Sequence, residues 1–235
     1  MLSIEQLTGR EASHLVEVQG GHYLQAEAAA AFAALQADAL AAGFELAIAS
    51  SFRSFDRQLA IWNGKADGSR PVHDEQGKAV DMAGLSTAAR LHAILRYSAM
   101  PGTSRHHWGS DLDVFDRRAV GADYRVQLSP DEVAPGGVFD PVHRWLDQQM
   151  SAQKSHGFYR PYARDHGGVA PERWHLSYAP LALPCAGALT VAALCASWDG
   201  LSGEQALLLR EHLEADLQAL LTRYVQVPPD WCPRT

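Results

Sequence analysis

The sequence predicts an α+β fold in which helices flank an antiparallel sheet. Three observations lead there. Helical and strand-like periodicities come in blocks rather than in strict β-α-β alternation. Two extended segments in the second half are joined by the turn Asp165-His166-Gly167-Gly168, as in a hairpin. A chain of 235 residues with 47% apolar and 20% charged side chains can bury a sizeable core, and its length favours a single domain over residues 1–235.

Taken in chain order, Leu24, Ala28, Phe32, Leu35, Ala39 and Ala42 recur at helical spacing, and Gly43 stands where a glycine ends such a helix. Residues Phe44–Ser50 alternate apolar side chains with Glu45 and Ala47 and read as a strand that delivers Ser51, Phe52 and Arg53 at its end. A helix over Ser54–Trp62 follows. Lys65–Gly84 lacks either periodicity and is rich in Gly, Asp and Pro, which marks a long loop expected at a site rim. Ser86 caps a helix reaching about Tyr97, with Leu91 and Leu95 facing inward, and Asp111–Phe115 reads as a short strand.

Beyond the Gly136-Gly137 turn, Asp140-Pro141 supplies an N-cap and a first-turn proline for a helix carrying Val142, Trp145, Leu146 and Gln149, closed by Gly157. Phe158–Tyr162 and Arg173–Tyr178 are the two strands of the hairpin. In the tail, Ser202 and Gln205 suggest a capping box for one helix whose stripe is Ala206, Leu209, Leu213, Leu217, Leu220 and Tyr224.

The formal charge of −7 comes with no basic cluster, so nucleic acid is not an expected partner. No run approaches the roughly 18 uncharged apolar residues of a membrane span, and the first eighteen residues lack the apolar stretch of a secretory signal. A cytoplasmic protein is expected. Cys185, Cys195 and Cys232 lie late, are odd in number and lack C-x-x-C spacing, which argues against a disulfide framework or a thiolate metal site.

Two segments concentrate histidine, carboxylate, glycine and tryptophan: Ser104–Asp113 and Glu172–His175. A hydrolytic zinc takes three nitrogen or oxygen donors and keeps a fourth position for water. His106, Asp113 and His175 can supply that set, with Gly109 allowing the chain to turn between the first two. Glu172 is the candidate general base. Residues three apart on an ideal strand face opposite ways, but Pro171 suggests that Glu172 lies in the turn before the strand and leans over the same site. His107, beside His106, reads as a packing residue. The plain alternative is that these are scattered core and surface side chains.

Ser104, His106, Gly109 and Asp113 match the pattern S-x-H-x-x-G-x-x-x-D, and Glu172, Trp174 and His175 match E-x-W-H. Ser50, Phe52, Arg53, Ser54 and Gln58 follow S-x-Y-R-S-x-x-x-Q, with Phe52 in place of tyrosine. In this the chain resembles the VanY-type D-alanyl-D-alanine metallopeptidases of the LAS group, which also contains the hedgehog signalling domain. The seven fixed metal-motif positions would coincide by chance at roughly 10⁻⁹ per placement, against on the order of 10⁴ placements. The resemblance covers residues 22–180 as a metallopeptidase core and leaves 185–235 as a C-terminal helical extension. It implies a sheet that carries the zinc site, Arg53 as the stabiliser of a developing oxyanion, and Ser104, Gln58 and Trp174 as substrate-binding residues. Ser104 could instead cap a turn, and Gln58 could simply cover a helix. Asp111 departs from the small residue common in the family and would share a strand face with Asp113, as a supporting group or a competing ligand.

The implied activity is a zinc-dependent carboxypeptidase acting on the terminal D-alanine of peptidoglycan stem peptides or muropeptide fragments. The same core serves L,D-carboxypeptidases, D,D-dipeptidases and L-alanyl-D-glutamate endopeptidases, and a non-catalytic zinc-stabilised binding module is the reading from another class.

Overall fold

The computed structural model describes residues 1–226; Cys232 lies outside them. The chain opens with the short helix α1 (Ile4–Leu7), whose Ser3 and Gln6 cap one another reciprocally. A hairpin of β1 (Leu15–Val18) and β2 (His22–Gln25) turns on Gly20 and Gly21, both at positive φ. Helix α2 (Ala26–Ala41) leads out of β2, buries Ala28, Phe32, Leu35 and Ala39, and stops at Gly43, φ +95°. Leu24, expected on that helical stripe, belongs to β2 and is buried there, because its spacing to Ala28 continues across the strand-to-helix junction.

Next come β3 (Leu46–Ser50), α3 (Phe55–Ala66) capped by the Ser54 hydroxyl, α4 (Thr87–Leu95) capped by Ser86, and β4 (Asp111–Asp116). The single turn α5 (Pro130–Val133) and helix α6 (Asp140–Ser151) lead to β5 (Phe158–Tyr159) and β6 (His175–Tyr178). Asp140 is the first residue of α6 rather than its cap; its carboxylate instead binds Gly136 N–H, Arg144 and Arg173. Gly157 does not close α6, which ends at Ser151. It sits at φ +86° at the entry to β5, where a Cβ would lie 2.9 Å from the Tyr178 ring.

Strands β3, β4, β6 and β5 form, in that order, the antiparallel sheet of the expected α+β fold. Every residue of β4 is buried, so both faces of this strand are covered. Leu112, Val114, Leu176 and Tyr178 join Phe32 and Leu35 of α2 and Val142 and Leu146 of α6 in one core. The alternate residues Asp111, Asp113, His175 and Ser177 therefore face the other way. Asp113 is paired with both Ser50 and His175. A bulge between Ile48 and Ser50 shifts Ser50 from the row of Leu112 to that of Asp113, onto the functional face.

A second core joins α3 and α4 to the C-terminal helices α8 (Val191–Trp198), α9 (Arg210–Ala215) and α10 (Leu217–Tyr224), whereas α7 (Ala179–Ala188) packs Ala182 and Cys185 against Leu7 and Trp108. The tail is thus not the single helix its apolar stripe suggested. Ser202 precedes only a 3₁₀ turn and its hydroxyl makes no cap bond there, and Leu209 has φ +63°. The Asn63 amide donates to Ala206 C=O (2.8 Å) while its carbonyl accepts from Leu208 N–H (3.0 Å), which ties up the backbone that a continuous helix would need. No single helix among the described residues is long and apolar enough to cross a membrane.

Candidate active site

Residues Arg105–Trp108 form a 3₁₀ turn ended by Gly109 at φ +69°. A Cβ there would stand 2.2 Å from Leu15 Cδ2 and 3.2 Å from Gln25 N, so glycine is required both for conformation and for close approach. The N-terminal hairpin clamps this turn. Gln25 N–H donates to Gly109 C=O (2.8 Å) and its side-chain amide to Trp108 C=O (2.7 Å). Gly109→Ala is expected to cost about 2 kcal/mol or more of stability through αL strain and overpacking; a denaturant midpoint equal to wild type would contradict this account of the turn.

The turn brings His106 to Asp113, and the β4–β6 register brings His175. One donor atom from each lies within 4.8 Å of the others, and all three residues are buried. His106 Nε2 is 3.4 Å from Asp113 Oδ2, and His175 Nδ1 is 3.2 Å from Asp113 Oδ1. His106 Nδ1 and Asp113 Oδ1 have no hydrogen-bond partner. Two imidazoles and a carboxylate with unmet bonding capacity, converging in a buried place, fit a borderline cation such as Zn²⁺.

Burial alone would raise the Asp113 carboxyl, but His106 and His175 hold it far below the ordinary range. For His175 burial acts downward, yet its contacts with Asp111 and Asp113 prevail and lift it to about 9. Glu172 lies in the turn before β6, its N–H donating to Tyr162 C=O (3.0 Å) and its C=O accepting from His175 N–H (3.1 Å). That turn lets Glu172 and His175 approach the same place, with Glu172 Oε2 3.7 Å from His175 Nδ1. Burial pushes the Glu172 carboxyl up to about 7, against the opposing pull of His175 and Arg53.

Arg53 is held by its backbone at both ends: its N–H donates to His106 C=O (3.2 Å), and its C=O accepts from His107 Nδ1 (2.6 Å). His107 also accepts from Gly102 N–H at Nε2 (3.2 Å), and burial keeps it neutral, with a pKa down to about 3. It is a brace between two loops. The Arg53 guanidinium donates to Gln58 Oε1 (2.9 Å), and the Gln58 amide donates to Ala99 C=O (2.7 Å). Gln58 has no exposed surface. The structure therefore puts Gln58 behind Arg53 rather than against substrate, because both ends of its amide are already engaged.

These groups open on a cavity of about 500 Å³ lined by Arg53, Ser104, His106, Glu172, Trp174 and His175, among others. Ser104 begins the 3₁₀ turn, but its hydroxyl makes no cap bond. The 65–84 segment supplies rim residues His73, Asp74 and Gly77, although its start is helical. Lys65, read from sequence only as the start of the rim loop and given no role of its own, lies on the last turn of α3, lines the same cavity and donates to Ser98 Oγ (2.7 Å). Its position one helical face from Trp62 and Ala66 gave no signal, since a lysine ending a helix is ordinary.

Several known proteins are similar to this chain. A protein of Haemophilus influenzae described only as uncharacterized is 48% identical over 103 residues, spanning 42% of this chain and 70% of the relative. Among solved structures, a vancomycin-resistance D,D-pentapeptidase VanY in complex with Zn(II) is similar at 23% identity and TM-score 0.48, covering 72% of this chain and 81% of that one. The LD-carboxypeptidase LdcB is similar at 24% identity and TM-score 0.49, covering 78% and 77%. The sequence model of the VanY family, described as D-alanyl-D-alanine carboxypeptidase, matches residues 21–181. With the match running from β2 through the end of β6 and so spanning every motif of the site, the chain belongs to the VanY family of D-alanyl-D-alanine carboxypeptidases.

Proposed function

We propose that this protein is a zinc-dependent carboxypeptidase that releases the terminal D-alanine of peptidoglycan stem peptides. The observation that carries the reading is Glu172, a half-buried carboxylate beside His106, Asp113 and His175 that is not one of the three converging donors. His106, Asp113 and His175 would hold the ion, and zinc, when bound, supplies Lewis acidity and lowers the pKa of its water to about 7.

The remaining work falls to the chain's own side chains. Glu172 takes the proton of the attacking water and returns it to the departing amine, the two halves of a general acid-base transfer. Arg53, fixed by its backbone and by Gln58, offers a permanent cation to the carbonyl oxygen as charge develops on it. Ser104 and Trp174 bound the peptide, and the Lys65 ammonium, whose hydrogen-bond partner is the neutral Ser98, suits a free terminal carboxylate. That second cation favours removal of an end residue over cleavage within a chain.

Replacing Arg53 by Ala is expected to lower kcat/KM by on the order of 10²-fold or more with zinc content unchanged. Unaltered kinetics on every peptide cleaved would make Arg53 an ordinary half-buried cation. Mass spectrometry of products from the pentapeptide, the tetrapeptide and D-Ala-D-Ala, with and without chelator, tests the function itself. Loss of one D-alanine from the pentapeptide, stopped by chelator and restored by zinc, is expected; cleavage indifferent to chelator, or none, would overturn the reading.

A further inference from the structure

Asp111 is fully buried on β4, on the same face as Asp113 and opposite Ser177. It is not one of the converging donors, and its oxygens are already engaged. Oδ2 accepts from Ser110 Oγ (2.5 Å), and Oδ1 accepts from Arg105 Nε (2.8 Å) and from His175 Nε2 (3.0 Å). Arg105 is equally buried and anchored beyond Asp111, its Nη2 donating to Ser177 Oγ (2.6 Å) and Tyr159 OH (2.9 Å). The guanidinium also lies over the Trp108 ring, 4.8 Å from its centroid, in the turn that carries His106.

The two nitrogens of His175 thus meet different surroundings. Nε2 faces a carboxylate held by Arg105; Nδ1 faces Asp113 Oδ1 at 3.2 Å and Glu172 Oε2 at 3.7 Å. An ionised carboxylate can only accept, so contact with Asp111 requires the hydrogen on Nε2, and in the neutral imidazole that ligation demands the lone pair is then on Nδ1, on the opposite side. We propose that Asp111, charge-balanced by Arg105, is a positioning residue that fixes the His175 ring and tautomer, turning Nδ1 towards the ion that His106 and Asp113 would share. A buried ion pair adds little net stability over apolar residues of the same volume, whereas a carboxylate behind a ligating histidine sets ligand basicity and orientation. Arg105 keeps the second carboxylate from adding uncompensated negative charge next to Asp113.

The inference rests on the metal reading above, and its test separates the two. Zinc affinity by chelator competition is measured for wild type, Asp111→Ala and Asp111→Asn, alongside ¹⁵N-histidine NMR of the zinc-loaded wild type. Wild type should show His175 with its proton on Nε2, shifted downfield and slow to exchange. Asp111→Ala should bind zinc 10–100-fold more weakly, and Asp111→Asn, which keeps an acceptor oxygen, should lose less. Should Asp111→Ala fail to fold, the wild-type spectrum alone decides. A His175 proton on Nδ1 would overturn the proposal, as would wild-type zinc affinity in a folded but destabilised Asp111→Ala, which would make the pair structural only. Wild-type protein with no zinc affinity would defeat the metal reading and this inference together.

Discussion

His175→Ala is expected to lower zinc content sharply. Apparent binding free energies of protein zinc sites run at about 10–16 kcal/mol. One of three protein donors accounts for about 4 kcal/mol of that, and its loss weakens affinity roughly 10³-fold. His106→Ala should act alike, since its Nε2 stands 3.4 Å from Asp113 Oδ2 and its ring centroid lies 4.9 Å from that of His175. Because a bound ligand raises apparent stability by mass action, chelator should lower the melting temperature of the zinc-loaded wild type but leave that of either variant unmoved. Full zinc occupancy in purified His175→Ala would remove this residue from the site. A metal found on Asp111 instead would reassign the third donor.

The convergence of His106, Asp113 and His175 was legible in the sequence because each sits at a fixed step from a local constraint. Gly109 fixes the turn between His106 and Asp113, and period-two alternation fixes which residues of β4 and β6 share a face. Pro171 similarly announced the turn that lets Glu172 reach the histidine three residues on. Helix starts at Ser54 and Ser86 were legible for the same reason, a hydroxyl cap being a nearest-neighbour event. What escaped is decided by partners far away in the chain. Gln58 reads as helix surface until Arg53 and Ala99 close over its amide. The C-terminal stripe reads as one helix until Asn63 takes the backbone of Ala206 and Leu208. The first twenty-five residues carry no motif, yet they hold the Gly109 turn from outside through Leu15 and Gln25. Asp111 was visible as an anomaly, but the role proposed for it required knowing that Arg105, itself anchored by Tyr159 and Ser177, pairs with it.

Glu172→Gln is expected to separate catalysis from metal binding. Glutamine keeps the size of the side chain and most of its hydrogen bonding but cannot accept a proton, so kcat should fall by roughly 10²–10⁴-fold, the usual contribution of a general acid-base group. Zinc content should stay at wild type, because Glu172 Oε2 stands 3.7 Å from His175 Nδ1, beside the donor set and not in it. Stability should hold or rise slightly. Burial penalises the charged carboxyl and lifts it to about 7, and the neutral amide avoids that penalty. A closed structural site predicts the reverse on both counts, since loss of a fourth ligand would weaken zinc binding and destabilise the fold. Zinc stoichiometry, melting temperature and peptide hydrolysis measured on this one variant therefore discriminate enzyme from binding module. Lost zinc together with lost stability would defeat the catalytic reading, and undiminished hydrolysis would take the role of base away from Glu172.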